Sequence, residues 1–133
     1  MEISMVVLLA EIILILVLGI GWIFGARRLD LKRHHWAIYG VLAVHLITVF
    51  LWMIPSGSSW IWIPSEGNLF LFAHAVLGII PIILGIVVVV AFLITPGMPL
   101  KLLRKTKPLM FVILALWFIA FIMGLYIYSD FYL

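Results

Sequence analysis

Residues 68–85 read NLFLFAHAVLGIIPIILG, an apolar run interrupted by a single histidine, His74. Extended to residue 95, the run exceeds the roughly 20 residues with which a helix crosses bilayer hydrocarbon. Three further runs of this kind occupy about 3–25, 36–54 and 109–129. The chain of 133 residues is 68% hydrophobic and only 10% charged. A soluble domain of ordinary composition carries roughly 25% charged residues, so the apolar excess here has no place but lipid. The expected fold is all-α: an integral membrane four-helix bundle, one transmembrane domain over residues 1–133, with helices at about 3–25, 36–54, 67–95 and 109–129.

The charges give the expected orientation. All eight Lys and Arg fall in the first and third linkers: Arg27, Arg28, Lys32 and Arg33, then Lys101, Arg104, Lys105 and Lys107. In a four-span chain these linkers share a side, and the positive-inside rule makes it cytoplasmic. The expected topology is therefore N-out and C-out, multi-pass in the plasma membrane of a prokaryote, with Glu2, Glu66 and Asp130 outside. A nucleic-acid role is excluded, because topology accounts for the basic loops, with anionic headgroups as their natural contact. No positive stretch or small-residue cleavage motif marks a removable signal, so the first helix is expected to stay. Trp52, Trp60, Trp62, Tyr126 and Tyr128 mark the outer interface, and Trp22 and Trp36 the inner one. The segment SSWIWIPSEG is too short to span and is expected to lie in the outer headgroups. The absence of cysteine excludes disulfides, thiolate zinc sites, iron–sulfur clusters and covalent haem attachment.

Ionisable groups within hydrocarbon are costly and turn toward the protein interior. Three are expected there: Glu11, His45 and His74. Tyr39 and Thr48 are milder cases, and His34 and His35 sit at the inner end of the second helix. Counting about 1.5 Å per residue places Glu11, His45 and His74 roughly 10–14 Å below the outer boundary, each on a different helix. Gly78, Pro81 and Gly85 share a face with His74 and form a shallow trough where Pro81 is expected to kink the helix. Ile38, Val41, Thr48, Trp52 and His34 share the face of His45.

Two histidines at one level beside small residues suit a b-type haem, with His45 and His74 as axial ligands and Gly78 and Gly85 letting the porphyrin approach. Met123 is a weaker alternative ligand. A second haem would need a histidine near Gly85 to pair with His34, and there is none. Glu11 adds other options. It completes a two-histidine, one-carboxylate set for iron, copper or zinc. It is equally suited to hydrogen-bond a ligand imidazole, or to accept a proton from a quinol. A third reading needs no cofactor, because histidine, threonine and glutamate also join membrane helices through hydrogen bonds. The pairs Gly21 and Gly25, and Ala120 and Gly124, are small-xxx-small signals that helices one and four pack closely.

The stretches HHWAIYGVLAVHLITVFLWM, HAVLGIIPIILGIVV and RKTKPLMFVILALWFIAFIMGLYIY resemble the small four-helix CtaM-like proteins, a family linked to haem–copper oxidase maturation. The similarity covers about 95 residues of helices two to four. Its most specific point is His74 with Leu77 and Pro81, and a histidine opening the second helix, His34 or His35, looks shared. The resemblance implies a respiratory-chain setting and haem or copper handling. A general likeness to cytochrome b-type four-helix bundles rests on the paired histidines.

The leading expectation is a small b-type haem subunit for electron transfer, working beside a larger respiratory complex or an extracytoplasmic cytochrome, with quinone as a further partner. The alternative is a cofactor-free accessory or assembly subunit of an oxidase-type complex. The chain is expected to be an electron-transfer or accessory subunit rather than an independent enzyme. It carries no carboxylate pair, activated nucleophile or phosphate loop.

Overall fold

The computed structural model describes residues 3–26, 31–56, 66–97 and 100–132. Each apolar run forms a helix: α1 (Ile3–Ala26), α2 (Leu31–Thr48), α3 (Leu69–Ile94) and α4 (Leu100–Tyr132). No strand occurs among the described residues. All four helices, α2 together with the turn that follows it, are long and apolar enough to cross a membrane. The chain is an all-α, multi-pass membrane protein. Its solvation pattern is inverted relative to a soluble domain. Glu11, His45 and Thr48 are buried, while Ile13, Leu16, Phe50 and Leu93 point outward. Such a surface is stable only where its surroundings are apolar.

The chain divides into two compact units, Met1–Ser58 and Ser59–Leu133. In the first, α1 packs against α2 as an antiparallel hairpin. Positions 11, 14, 18, 21 and 25 of α1 repeat at intervals of three and four, as do 34, 38, 41, 45 and 48 of α2. Every one of them is buried or half-buried. This is the spacing of a coiled-coil seam, in which one stripe stays turned to the partner helix. Glycine tightens the seam at one end. A methyl group at Gly21 would lie 3.0 Å from Ala37 Cβ, and one at Gly25 would lie 2.7 Å from His34 Nδ1. The Arg33 guanidinium lies 5.6 Å over the Phe24 ring at the same end.

After Thr48 the helix widens into a π turn, Val49–Met53, closed by the Ile54 N–H bonding to the Val49 carbonyl, and then resumes over Ile54–Ser56. Pro55 explains the widening. A proline lacks the N–H for a carbonyl four residues back and its ring crowds that carbonyl, here of Leu51, so the turn before it opens. The helical stretch therefore covers residues 31–56, longer at both ends than the expected 36–54.

In the second unit α3 packs against α4. Asn68 precedes α3, its carbonyl accepting from the Phe72 N–H at 2.9 Å. The helix runs through Pro81, which is buried, without interruption. It stops where proline chemistry dictates. Thr95, the residue before Pro96, is forced to an extended φ of -114 and ψ of 96, and Gly97 then takes a φ of 88 that suits glycine.

The start of α4 corrects a sequence expectation. The helix begins at Leu100 rather than near residue 109, so the basic stretch taken as a loop is helical and Pro108 lies inside the helix. Lysine and arginine are good helix formers. They end the hydrocarbon crossing without ending the helix. The Thr106 hydroxyl donates to the Leu102 carbonyl at 2.7 Å, one turn back. The expected interfacial residues Trp60 and Trp62, with Glu2, Arg27 and Arg28, lie outside the described residues.

The glycine contacts make a contrasting pair of variants. Gly25→Ala forces the His34 ring aside and is expected to destabilise the first hairpin by about 1–3 kcal/mol, as overpacking does. Gly19→Ala, whose added carbon would meet no described atom within 4 Å, should leave thermal unfolding in detergent unchanged or slightly raised. Equal effects of the two substitutions would contradict the seam.

Candidate functional site

The antiparallel hairpin fixes which residues can meet. As α1 descends α2 ascends, so Gly25 and Gly21 come beside His34, and Glu11 falls opposite His45. Glu11 and His45 do meet. The imidazole Nδ1–H donates to Glu11 Oε1 at 2.8 Å. The two residues are 7% and 6% exposed, so the bond is shielded from solvent. Leu14 on α1 and Val41 and Leu42 on α2, all buried, lie within one turn of the pair along their helices. In such surroundings neither group is tolerable without a polar partner. Each supplies the other's.

The bond also sets the chemistry of the ring. With the carboxylate accepting, Nδ1 carries the proton, and in a neutral imidazole the lone pair is then on Nε2. A carboxylate on the distal nitrogen is the usual outer-shell partner of a metal-ligating histidine, where it fixes tautomer and orientation and raises basicity.

Thr48, expected on the same face, is buried, but its hydroxyl donates back to the Val44 carbonyl at 2.9 Å. That bond satisfies the hydroxyl within its own helix. Ile38 and Trp52 are half-buried. His34 makes a second polar crossing of the hairpin, its Nδ1–H donating to the Gly21 carbonyl at 2.8 Å. Because a carbonyl only accepts, the tautomer of His34 is fixed as well. His35 is buried, its ring 5.6 Å from that of His34 and 5.7 Å from that of Tyr39.

In the second unit His74 is half-buried on α3, and its immediate neighbour is Gly124 of α4. A methyl group at Gly124 would lie 3.2 Å from His74 Cε1. The glycine that admits the His74 ring thus comes from the facing helix rather than from Gly78 below it. A methyl group at Gly78 would meet no described atom within 4 Å. Gly85 and Met123 are half-buried and Pro81 is buried. The Phe70 and Tyr126 rings meet edge-on at 5.2 Å one turn from His74.

The structure therefore joins Glu11 to His45, His34 to Gly21 and His74 to Gly124. Among the described residues no group of three or more His, Cys, Asp or Glu side chains is arranged to hold a metal ion. The sequence reading missed the His34–Gly21 bond and the His74–Gly124 contact. The Gly21 and Gly25 spacing signalled close packing, and the short linker after α1 signalled the helix that packs there. Those two signals together place His34 on the glycine stripe.

A double-mutant cycle isolates the buried pair. Glu11→Leu and His45→Leu should each destabilise, while the double variant loses less than their sum, with a coupling of roughly 0.5–2 kcal/mol. Glu11→Gln, whose amide oxygen still accepts from Nδ1–H, should fall closer to wild type than Glu11→Leu. Additive single effects in thermal or denaturant unfolding would contradict a direct bond.

No family model, no curated protein and no solved structure matches the chain.

Proposed function

We propose that the chain is a small haem-binding membrane subunit with His45 as an iron ligand and Glu11 as the carboxylate that holds its imidazole. The observation that carries this reading is the 2.8 Å bond from His45 Nδ1 to Glu11 in an apolar, solvent-shielded setting. In this reading the neutral ring keeps its lone pair on Nε2, the atom through which such an imidazole ligates iron. The second axial ligand in this reading is His74, with Gly78 and Gly85 as the small residues beside it. A bound haem would supply a one-electron couple. The protein's own part is to hold the ligand ring, keep water from it, and offer Glu11 as a proton acceptor near the redox centre. The setting we favour is a prokaryotic respiratory membrane, in keeping with the resemblance to CtaM-like proteins, with a larger respiratory complex or extracytoplasmic cytochrome as partner.

One observation favours a second reading. His34 bonds a backbone carbonyl across the hairpin. In this chain a histidine therefore already serves as an interhelical tie. If His45 does only the same, the protein is a cofactor-free accessory or assembly subunit, and copper or haem is handled briefly or not at all.

A dithionite-reduced minus oxidised spectrum of purified protein, with iron and copper analysis on the same sample, separates the two. The haem reading expects sharp α and Soret bands near one haem per chain, lost in His45→Ala and shifted in Glu11→Leu. His74→Ala tests the second ligand independently. A flat spectrum with no bound metal would overturn it in favour of the accessory subunit.

Orientation is testable by single-cysteine labelling, since the native chain has no cysteine to interfere. With the basic segments cytoplasmic, cysteines at Lys32 and Lys105 should react only after the membrane is opened. One at Asp130 should react with an impermeant reagent on intact cells. The reverse pattern would invert the topology.

A further inference from the structure

We propose that the first turns of α4 form a docking face for the phosphate headgroups of anionic phospholipid. The proposal is independent of any haem. It starts from the helix beginning at Leu100 instead of near residue 109. At about 1.5 Å per residue, the 33 residues of α4 extend roughly 50 Å, against about 30 Å of bilayer hydrocarbon. The apolar run from 109 onward accounts for the crossing. Residues 100–107 are then about 12 Å of rigid helix at headgroup level.

Regular helix converts a basic stretch into a basic stripe. At about 100° per residue, Lys101, Arg104 and Lys105 fall within an arc of roughly 100°. All three are exposed. Lys107 lies to one side of the arc. The opposite face carries Leu102 and Leu103, half-buried, and Thr106, buried at 7% exposure. The Thr106 hydroxyl is turned back onto the Leu102 and Leu103 carbonyls. The positive-inside rule explains why these cations share a side of the membrane. It does not require three of them to share one face of a helix, held at a fixed height above the hydrocarbon by a continuous backbone. Anionic headgroups occur at that height, and each lysine or arginine held there strengthens attachment severalfold.

Native mass spectrometry of the full chain, released from mixed micelles of phosphatidylcholine and phosphatidylglycerol, tests this. Two triple variants remove the same charge: Lys101→Gln with Arg104→Gln and Lys105→Gln on the stripe, and Lys32→Gln with Arg33→Gln and Lys107→Gln off it. Retained phosphatidylglycerol should fall about tenfold or more in the stripe variant and stay within about twofold of wild type in the other, with phosphatidylcholine retention unchanged in both. In the wild type, phosphatidylglycerol retention should also weaken as salt is raised before release, because exposed charges are screened. Equal loss in both triple variants would reduce the effect to net charge and overturn the docking face. So would retention that neither variant nor salt alters, which would leave the stripe to topology or to a protein partner.

Discussion

The buried bond between Glu11 and His45 is the constraint around which the first hairpin is organised. Without a partner, a carboxylate and an imidazole at that depth would be disfavoured by several kcal/mol. Paired, they restrict the hairpin to one register, because sliding α1 by a turn along α2 would separate them and leave both groups in hydrocarbon. The glycine end of the seam enforces the same register sterically. Gly21 and Gly25 admit Ala37 and His34 only at that alignment, and the His34 bond to the Gly21 carbonyl closes it. Apolar side chains cannot do this in lipid, where burying a leucine against a helix or against an acyl chain is nearly equivalent.

The second hairpin uses a different device. There the ring of His74 sits against Gly124, a close approach that glycine permits. The difference matters for function. His45 has its tautomer set by a carboxylate, the preparation expected of a ligand or a proton-handling group. The functional reading accordingly rests on His45 and Glu11 more than on the histidine that first draws the eye in the sequence.

Much of this was legible from residues alone, for physical reasons that also mark its limits. Hydrocarbon thickness made the four helices readable, and α3 begins and ends within about two residues of the apolar run. Charge misled at α4, because lysine and arginine mark where lipid ends and say little about where a helix starts. Pro55 and Pro108 behave differently although both interrupt a helical pattern: one sits after a π turn and the other within a continuous helix. Local sequence does not decide between these outcomes, since lipid and neighbouring helices set the cost of a missing N–H. Depth counting put Glu11 and His45 at one level, and they bond. The same counting could not reveal that Gly124 meets His74, because level does not say which face of a helix turns toward its neighbour.

The central claim is that Glu11 holds His45 by its Nδ1. Nitrogen NMR of histidine-labelled protein in bilayers observes this directly, by assigning the ring nitrogens of His45 in the wild type and in Glu11→Leu. The account predicts a protonated, strongly hydrogen-bonded Nδ1 in the wild type, and a changed Nδ1 signal once the carboxylate is gone. A wild-type His45 with no proton on Nδ1, or a signal that the loss of Glu11 leaves unmoved, would contradict it.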